Sequence, residues 1–379
     1  MKRGCLISFV FLAALLVGFE LVARTGWIAA LRPEVLDPLG DQIREKANVA
    51  PHPYLAYAPK PNFVQTETPK GPQVIHHNSL GFRGRETTYA KPPGTFRIVT
   101  IGGSSCYGQS ESRDEAVWSV RLEHYLNEAG LARKVEVING GCRGYSTFEM
   151  LINLELRLVD FEPDLLITYE SINDMRCALY PGCVNDNTHW RAVWPVVEKS
   201  SADELLESSR LFMTWRRYGT EWLAKQKDLG TYMIVDYGKY HSSLYAGDYG
   251  QPTDAERGFA NFRRNLKSIV SVAREHGAKV LLSTQAMRFS DIEGAQSYEA
   301  QKAGLLRCRD ILREVASSEG VPLADTAKHV EDALAAELAA GQNPDDLFQH
   351  EVHPTDKGSD LIGRFLADRI LELELVPAN

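Results

Sequence analysis

The chain has 379 residues, 44% of them apolar, and a formal charge of −8. That is enough to bury a sizeable core and suggests one large domain with additions, or two domains. No basic run is present to meet a phosphate backbone, so the composition argues against a nucleic-acid partner.

At the N-terminus Lys2 and Arg3 precede an uncharged, largely apolar run from Leu6 to Phe19. As a helix this run spans about 21 Å, short of the roughly 30 Å hydrocarbon core. Extended to Leu31 it is long enough, and it then includes Glu20 and Arg24, four apart on one face and able to pair. Trp27 fits an interfacial anchor. No small-x-small cleavage site stands between residues 20 and 31, which favours an uncleaved anchor over a cleaved signal peptide. In either reading of residues 1–31 the positive end stays in the cytoplasm. The remaining chain is then expected in the periplasm or at the cell surface, or secreted if the segment is removed.

Residues 32–94 hold ten of the eighteen prolines and read as an extended N-terminal arm, with "HNSLGFRGRE" as an edge strand or turn. From Phe96 the texture changes. "FRIVTIGG" reads as a buried strand, "DEAVWSVRLEHYLNEAG" as an amphipathic helix ending at Gly130, and "KVEVINGG" as a second strand. "STFEMLINLELRLVDF" is a helix with a Ser/Thr cap, and "PDLLITYES" a third strand.

An insert, residues 176–252, interrupts the alternation and carries four of the six tryptophans. Leu211, Trp215, Tyr218 and Trp222 recur there at helical spacing, as a stripe packed on the domain or as rings facing a cleft and stacking on sugar. Cys177 and Cys183 bracket a short "CALYPGC" turn and either close a small disulfide loop or stay as thiols. No C-x-x-C pair supports a structural zinc site. Alternation resumes with a helix over 254–278, the strand "KVLLSTQ", a helix over 297–319, the short strand "VPLAD", and helices over 326–340 and 355–374. This pattern predicts an α/β domain, residues 95–379, whose parallel sheet is covered on both faces. Ligands in such sheets bind beyond the carboxyl ends of the strands.

Three of those ends are unusual: "GGSSCYG", "NGGCRGYST" and "ESINDM". The first lacks the Gly-Lys-Ser/Thr ending of a phosphate loop, and Cys106 stands where a G-x-S-x-G elbow needs its last glycine. The second is a dinucleotide fingerprint with its first glycine missing. Near the C-terminus, "DLFQHEVHPTDKG" places His350 and His353 three apart around Glu351. Helical zinc motifs use a spacing of four; Pro354 breaks this stretch and no third ligand is evident, so no metal and no cofactor are expected.

Together these blocks resemble the SGNH hydrolases, the GDSL-type esterases, over residues 96–374 in block order. Gly102-Gly103-Ser104 with Gly108 resembles the first block, with Gly103 where the family carries aspartate. Gly144, between Asn139 and Ser146, falls on the oxyanion glycine. Ser171-Ile172-Asn173-Asp174 resembles the Gly-x-Asn-Asp block, and His353 falls on the final histidine. The resemblance implies a flavodoxin-like three-layer α/β/α fold with a central parallel sheet of about five strands. It implies Ser104 as nucleophile and His353 as base, with the N–H groups of Ser104 and Gly144 and the Asn173 amide as oxyanion donors.

It also implies that the first two strands are neighbours, which brings Cys106 and Cys142 together either as a disulfide or as two small fillers. The family's triad acid is here His350. Three outcomes stand open. Asp345, Asp346 or Glu351 reaches the imidazole instead, the site runs as a Ser–His dyad, or the fold only binds its ligand.

The implied function is a serine esterase removing an O-acyl group, acetyl above all, from a carbohydrate or related envelope ester. The alternatives are an O-acyltransferase on extracellular polysaccharide using the same site, and a degenerate glycan-binding module. The implied partners are an acylated carbohydrate or other small ester and, through the N-terminal segment, a membrane; the oligomeric state is left open.

Overall fold

The computed structural model describes residues 2–32, 36, 48–52, 54–55, 57–68, 71–179, 183, 185–187, 201–219, 222, 255–292 and 298–377. Most of the insert therefore lies outside the described residues. The chain divides into two compact units, one of residues 1–47 and 191–242 and one of residues 48–190 and 243–379.

The larger unit begins with two antiparallel hairpins, β1 (Val49–Pro51) with β2 (Tyr57–Pro59) and β3 (Val64–Thr68) with β4 (Gly71–His76). The central sheet follows: β5 (Thr95–Gly102), β6 (Lys134–Asn139), β7 (Leu165–Tyr169), β8 (Lys279–Ser283) and β9 (Leu323–Ala324). Its order is β6-β5-β7-β8-β9 and every pairing is parallel. The fold is thus a five-stranded parallel α/β sheet with flavodoxin-like order, and its topological switch point lies between β5 and β7.

Alternation along the strands builds a core on each face. Val99, Ile101, Leu166 and Leu282 pack with helices Ala255–Glu275 and Tyr298–Glu319. Ile98, Leu165, Ile167 and Leu281 pack with helices Trp118–Glu128 and Asp356–Glu372. The helix expected over 146–161 is regular only for Thr147–Asn153, then widens into a π turn and a 3-10 turn.

The Pro-rich arm is less separate than its composition suggests. From Asn48 onward it belongs to the larger unit. The Asn48 amide donates to Tyr107 Oη at 2.6 Å, and Tyr107 Oη lies 2.7 Å from His77 Nε2. The "HNSLGFRGRE" segment forms one isolated bridge, His77 to Arg83, and buried Arg83 pairs with Asp114 at 2.7 Å. Pro51 and Pro59 sit at strand ends, where a missing N–H costs no interior ladder bond.

In the smaller unit, the helix Lys2–Arg24 contains an 18-residue stretch, Ile7–Arg24, long and apolar enough to cross a membrane by length and composition. Its Glu20–Arg24 pair is formed at 2.7 Å. The Glu20 carboxylate also accepts from Ser209 Oγ (3.0 Å) and from the N–H groups of Arg210 (3.0 Å) and Leu211 (2.8 Å). Helix Arg210–Thr214 then passes into a π turn, Trp215–Gly219. Trp215, Tyr218 and Trp222 are exposed.

Candidate active site

The loops after β5, β6 and β7 meet at the switch point, and glycine is what lets them meet. A Cβ on Gly102 would stand 2.3 Å from Tyr169 O, and one on Gly103 would stand 2.2 Å from Glu170 Oε2 and 2.6 Å from Asn173 Nδ2. Directly after them Ser104 opens a single helical turn, Ser104–Tyr107, closed by Gly108 at φ +91°.

Ser104 Oγ lies 2.7 Å from His353 Nε2, across 249 residues of sequence. Ser105 fixes the approach: its hydroxyl donates to Val352 O at 2.7 Å, and Gln285 Nε2 donates to that same hydroxyl at 3.0 Å. The loop after β6 brings Gly144 in with φ +74°, in the left-handed region that favours glycine. A Cβ there would also meet Tyr57 Oη at 2.4 Å, because that hydroxyl donates to Arg143 O. Asn139 joins this loop to the nucleophile turn, with Nδ2 donating to Cys106 O at 3.0 Å and Oδ1 accepting from Gly141 N at 3.0 Å.

From the third loop, Asn173 Nδ2 donates one hydrogen to Tyr145 O at 2.9 Å and retains its second. Asp174 turns away, accepting from the N–H and hydroxyl of Thr147, and burial pushes its carboxyl up to about 7.

Two residues of this site were not anticipated from sequence. Glu170 is fully buried, and its carboxylate accepts from the N–H groups of Gly103 (2.9 Å), Ser171 (3.0 Å) and Asn173 (2.7 Å). It occupies the space left by the glycine at 103, where the resembled family has an aspartate. Burial outweighs its N–H donors and pushes the carboxyl up to about 8. Gln285, just past β8, accepts from the N–H groups of Ser171 and Ile172 at 2.9 Å while its amide holds Ser105. The available signal was burial: Glu170 and Gln285 end strands with no other polar outlet, and a buried polar group has to be satisfied.

The expected acids are placed elsewhere. Asp345 pairs with Arg288 at 2.6 Å, and Asp346 lies 3.9 Å from Lys357. Glu351 pairs with Arg176 at 2.7 Å. Its charge is felt at His353, but His353 Nδ1 is buried with no hydrogen-bond partner among the described residues. His350 is exposed, its ring centroid 6.2 Å from that of His353. Burial, with help from Arg176, His350 and Arg143, holds His353 well below the ordinary histidine value. His350→Asp is expected to raise turnover of p-nitrophenyl acetate by about ten-fold, because a carboxylate stabilises imidazolium where neutral histidine does not. An unchanged or lower rate would refute a role for position 350.

Of the two readings open for Cys106 and Cys142, the structure has the buried thiols. Cys106 points into the core beneath the sheet, 3.6 Å from Thr100 Oγ1, whereas Cys142 packs with Leu55, Ala58 and Tyr145 of the hairpin cluster. Gly141 lies between them, against the Cys106–Tyr107 backbone. Burial pushes both thiols up to about 12, which leaves them inert. Cys177 and Cys183 are both buried. Among the described residues no group of three or more His, Cys, Asp or Glu could hold a metal ion.

Residues 244–361, less than half of the chain, match the model of the GDSL-like Lipase/Acylhydrolase family, a stretch that holds His353. The match supports an ester-hydrolysing enzyme. No curated protein matches the chain. Similar solved structures include a lipase/acylhydrolase from Enterococcus faecalis, 16% identical, covering 75% of this chain and 99% of its own, with a TM-score of 0.43. An acetyl xylan esterase, AlAXEase, is 17% identical over 73% of this chain and 99% of its own, with a TM-score of 0.43. A catalytic mutant of an acetylxylan esterase from Geobacillus stearothermophilus is 12% identical over 75% and 96%, with a TM-score of 0.42.

Proposed function

We propose that the chain is a membrane-anchored serine esterase that removes an O-acyl group, acetyl above all, from a carbohydrate or related envelope ester. The observation that carries this reading is the 2.7 Å contact of Ser104 Oγ with His353 Nε2 at the switch point of the sheet. Ser104 Oγ attacks the acyl carbon and its proton passes to Nε2. The ester C–O bond breaks, and Nε2–H returns that proton to the leaving alkoxide. Water, deprotonated by the same nitrogen, then attacks the acyl-enzyme and releases the acid and Ser104. The N–H groups of Ser104 and Gly144 donate no hydrogen bond to described residues, so both are free to serve the oxyanion beside Asn173 Nδ2.

The bonds from Glu20 to residues 209–211 support an N-terminal helix that stays attached, and Lys2 and Arg3 ahead of the apolar run support a chain whose larger unit lies outside the cytoplasm. The unpartnered His353 Nδ1 favours a second reading, a fold that binds acylated glycan without turning it over.

A fluorophosphonate probe decides between them. Labelling of wild type that disappears in Ser104→Ala supports the esterase. A well-folded wild type that resists the probe rules it out. Supplying a sugar acceptor to the labelled class of enzyme, with an acetyl donor, separates hydrolysis from transfer.

A further inference from the structure

Two guanidinium groups, those of Arg176 and Arg143, act on the His353 imidazole, opposed by Glu351. Arg176 is ion-paired to Glu351. Arg143 is not paired in this way. It is exposed and directly precedes Gly144 in the loop after β6. Its Nε donates to Gln109 Oε1 at 3.2 Å and its Nη1 to Asn48 Oδ1 at 3.4 Å, both neutral amides. Among the described residues no carboxylate lies within ion-pair distance of its guanidinium. The two amides hold Nε and Nη1 without neutralising the delocalised charge, and the hydrogens of Nη2 are not used by either. A planar fork of this kind suits bidentate capture of a carboxylate or phosphate.

We propose that the site takes an ester carried on an anionic molecule, whose carboxylate or phosphate is held by Arg143 while its acyl carbonyl lies at Ser104. This rests on the esterase reading above. The chain's overall charge of −8 does not draw anions from a distance, so recognition has to be local. An anion on Arg143 also has a chemical consequence. It cancels part of the positive field at His353 and supplies negative charge near an imidazole that lacks its own acid.

The test compares wild type, Arg143→Gln and Arg143→Lys on four esters. O-acetylated polygalacturonate carries carboxylates and 1-O-acetylglycerol 3-phosphate a phosphate, while O-acetylated xylan and p-nitrophenyl acetate are neutral. Wild type should prefer one anionic ester over xylan in kcat/KM. The anionic-to-neutral ratio should fall about ten-fold or more in Arg143→Gln and recover in part in Arg143→Lys. The ester that responds identifies the oxyanion. A ratio that Arg143→Gln leaves unchanged overturns the proposal.

Binding of de-esterified polygalacturonate and of glycerol 3-phosphate to Ser104→Ala protein, with and without Arg143→Gln, reads the same contact without turnover. Anion binding that needs Arg143 in a protein inert to every ester would sink the esterase and keep the anion site. Binding that ignores Arg143 would sink the site alone.

Discussion

Replacing His353 by alanine is expected to lower kcat for p-nitrophenyl acetate by about 10⁴-fold or more. Ser104 cannot lose its proton at neutral pH unaided, and His353 Nε2 is the basic atom in contact with it. The pH profile carries a second signature. Burial first, then Arg176, His350 and Arg143, make the imidazole reluctant to take a proton in the free enzyme. The neutral form that acts as base therefore persists to lower pH than for an ordinary histidine. The acid limb of kcat/KM should fall clearly below pH ~6.5 and be absent from any residual activity of His353→Ala. Retention of full activity, or an acid limb that stays in the variant, would place the base elsewhere.

The second large effect is expected at Asn173. Asn173→Ala should cost about 10²–10³ in kcat, or roughly 2.7–4 kcal/mol of barrier, the usual consequence of removing one oxyanion donor. One hydrogen of Nδ2 is held by Tyr145 O, so the amide is oriented before substrate arrives. Its backbone N–H is fixed independently by Glu170, so the loop should survive loss of the side chain. The expected pattern is a fall in kcat with KM little changed, which marks a contact made in the transition state. An equal rise in KM with kcat intact would assign Asn173 to ground-state binding instead.

Much of the architecture was legible because parallel strands are buried on both faces and read as apolar runs. "KVEVINGG" and "PDLLITYES" contain the strands found there, and "FRIVTIGG" misses only the first residue of its own, Thr95. The site loops were legible because backbones that approach closely need glycine, as at Gly102, Gly103 and Gly144. Glu170 and Gln285 were not. Each closes a strand and looks like an ordinary boundary residue, and only the three-dimensional crossing of loops reveals what it holds. The two hairpins of the arm were not legible, because proline density masks short strands whose prolines, Pro51 and Pro59, stand at their ends. The sequence left the state of Cys106 and Cys142 open because neighbouring loops do not imply facing side chains: one packs in the sheet core and the other in the hairpin cluster. The replacement for the triad acid was unreadable: Asp345, Asp346 and Glu351 are close in sequence, but each is occupied by a different cation.

The cross-links made by Glu170 and Gln285 divide the site into a floor and a rim. The floor, comprising Ser104, Asn173 and the turn before His353, is tied together through buried carboxylate and amide groups, so no member can shift without the others. The rim is made of the hairpin that brings Tyr57 and the stretch around Gln109, which reach the site through Arg143 and the Ser104 carbonyl. New acyl or alcohol preferences can therefore arise by exchanging rim segments while the reaction chemistry stays untouched. Changes to the floor would have to come in concert, as the paired presence of glycine at 103 and glutamate at 170 already illustrates.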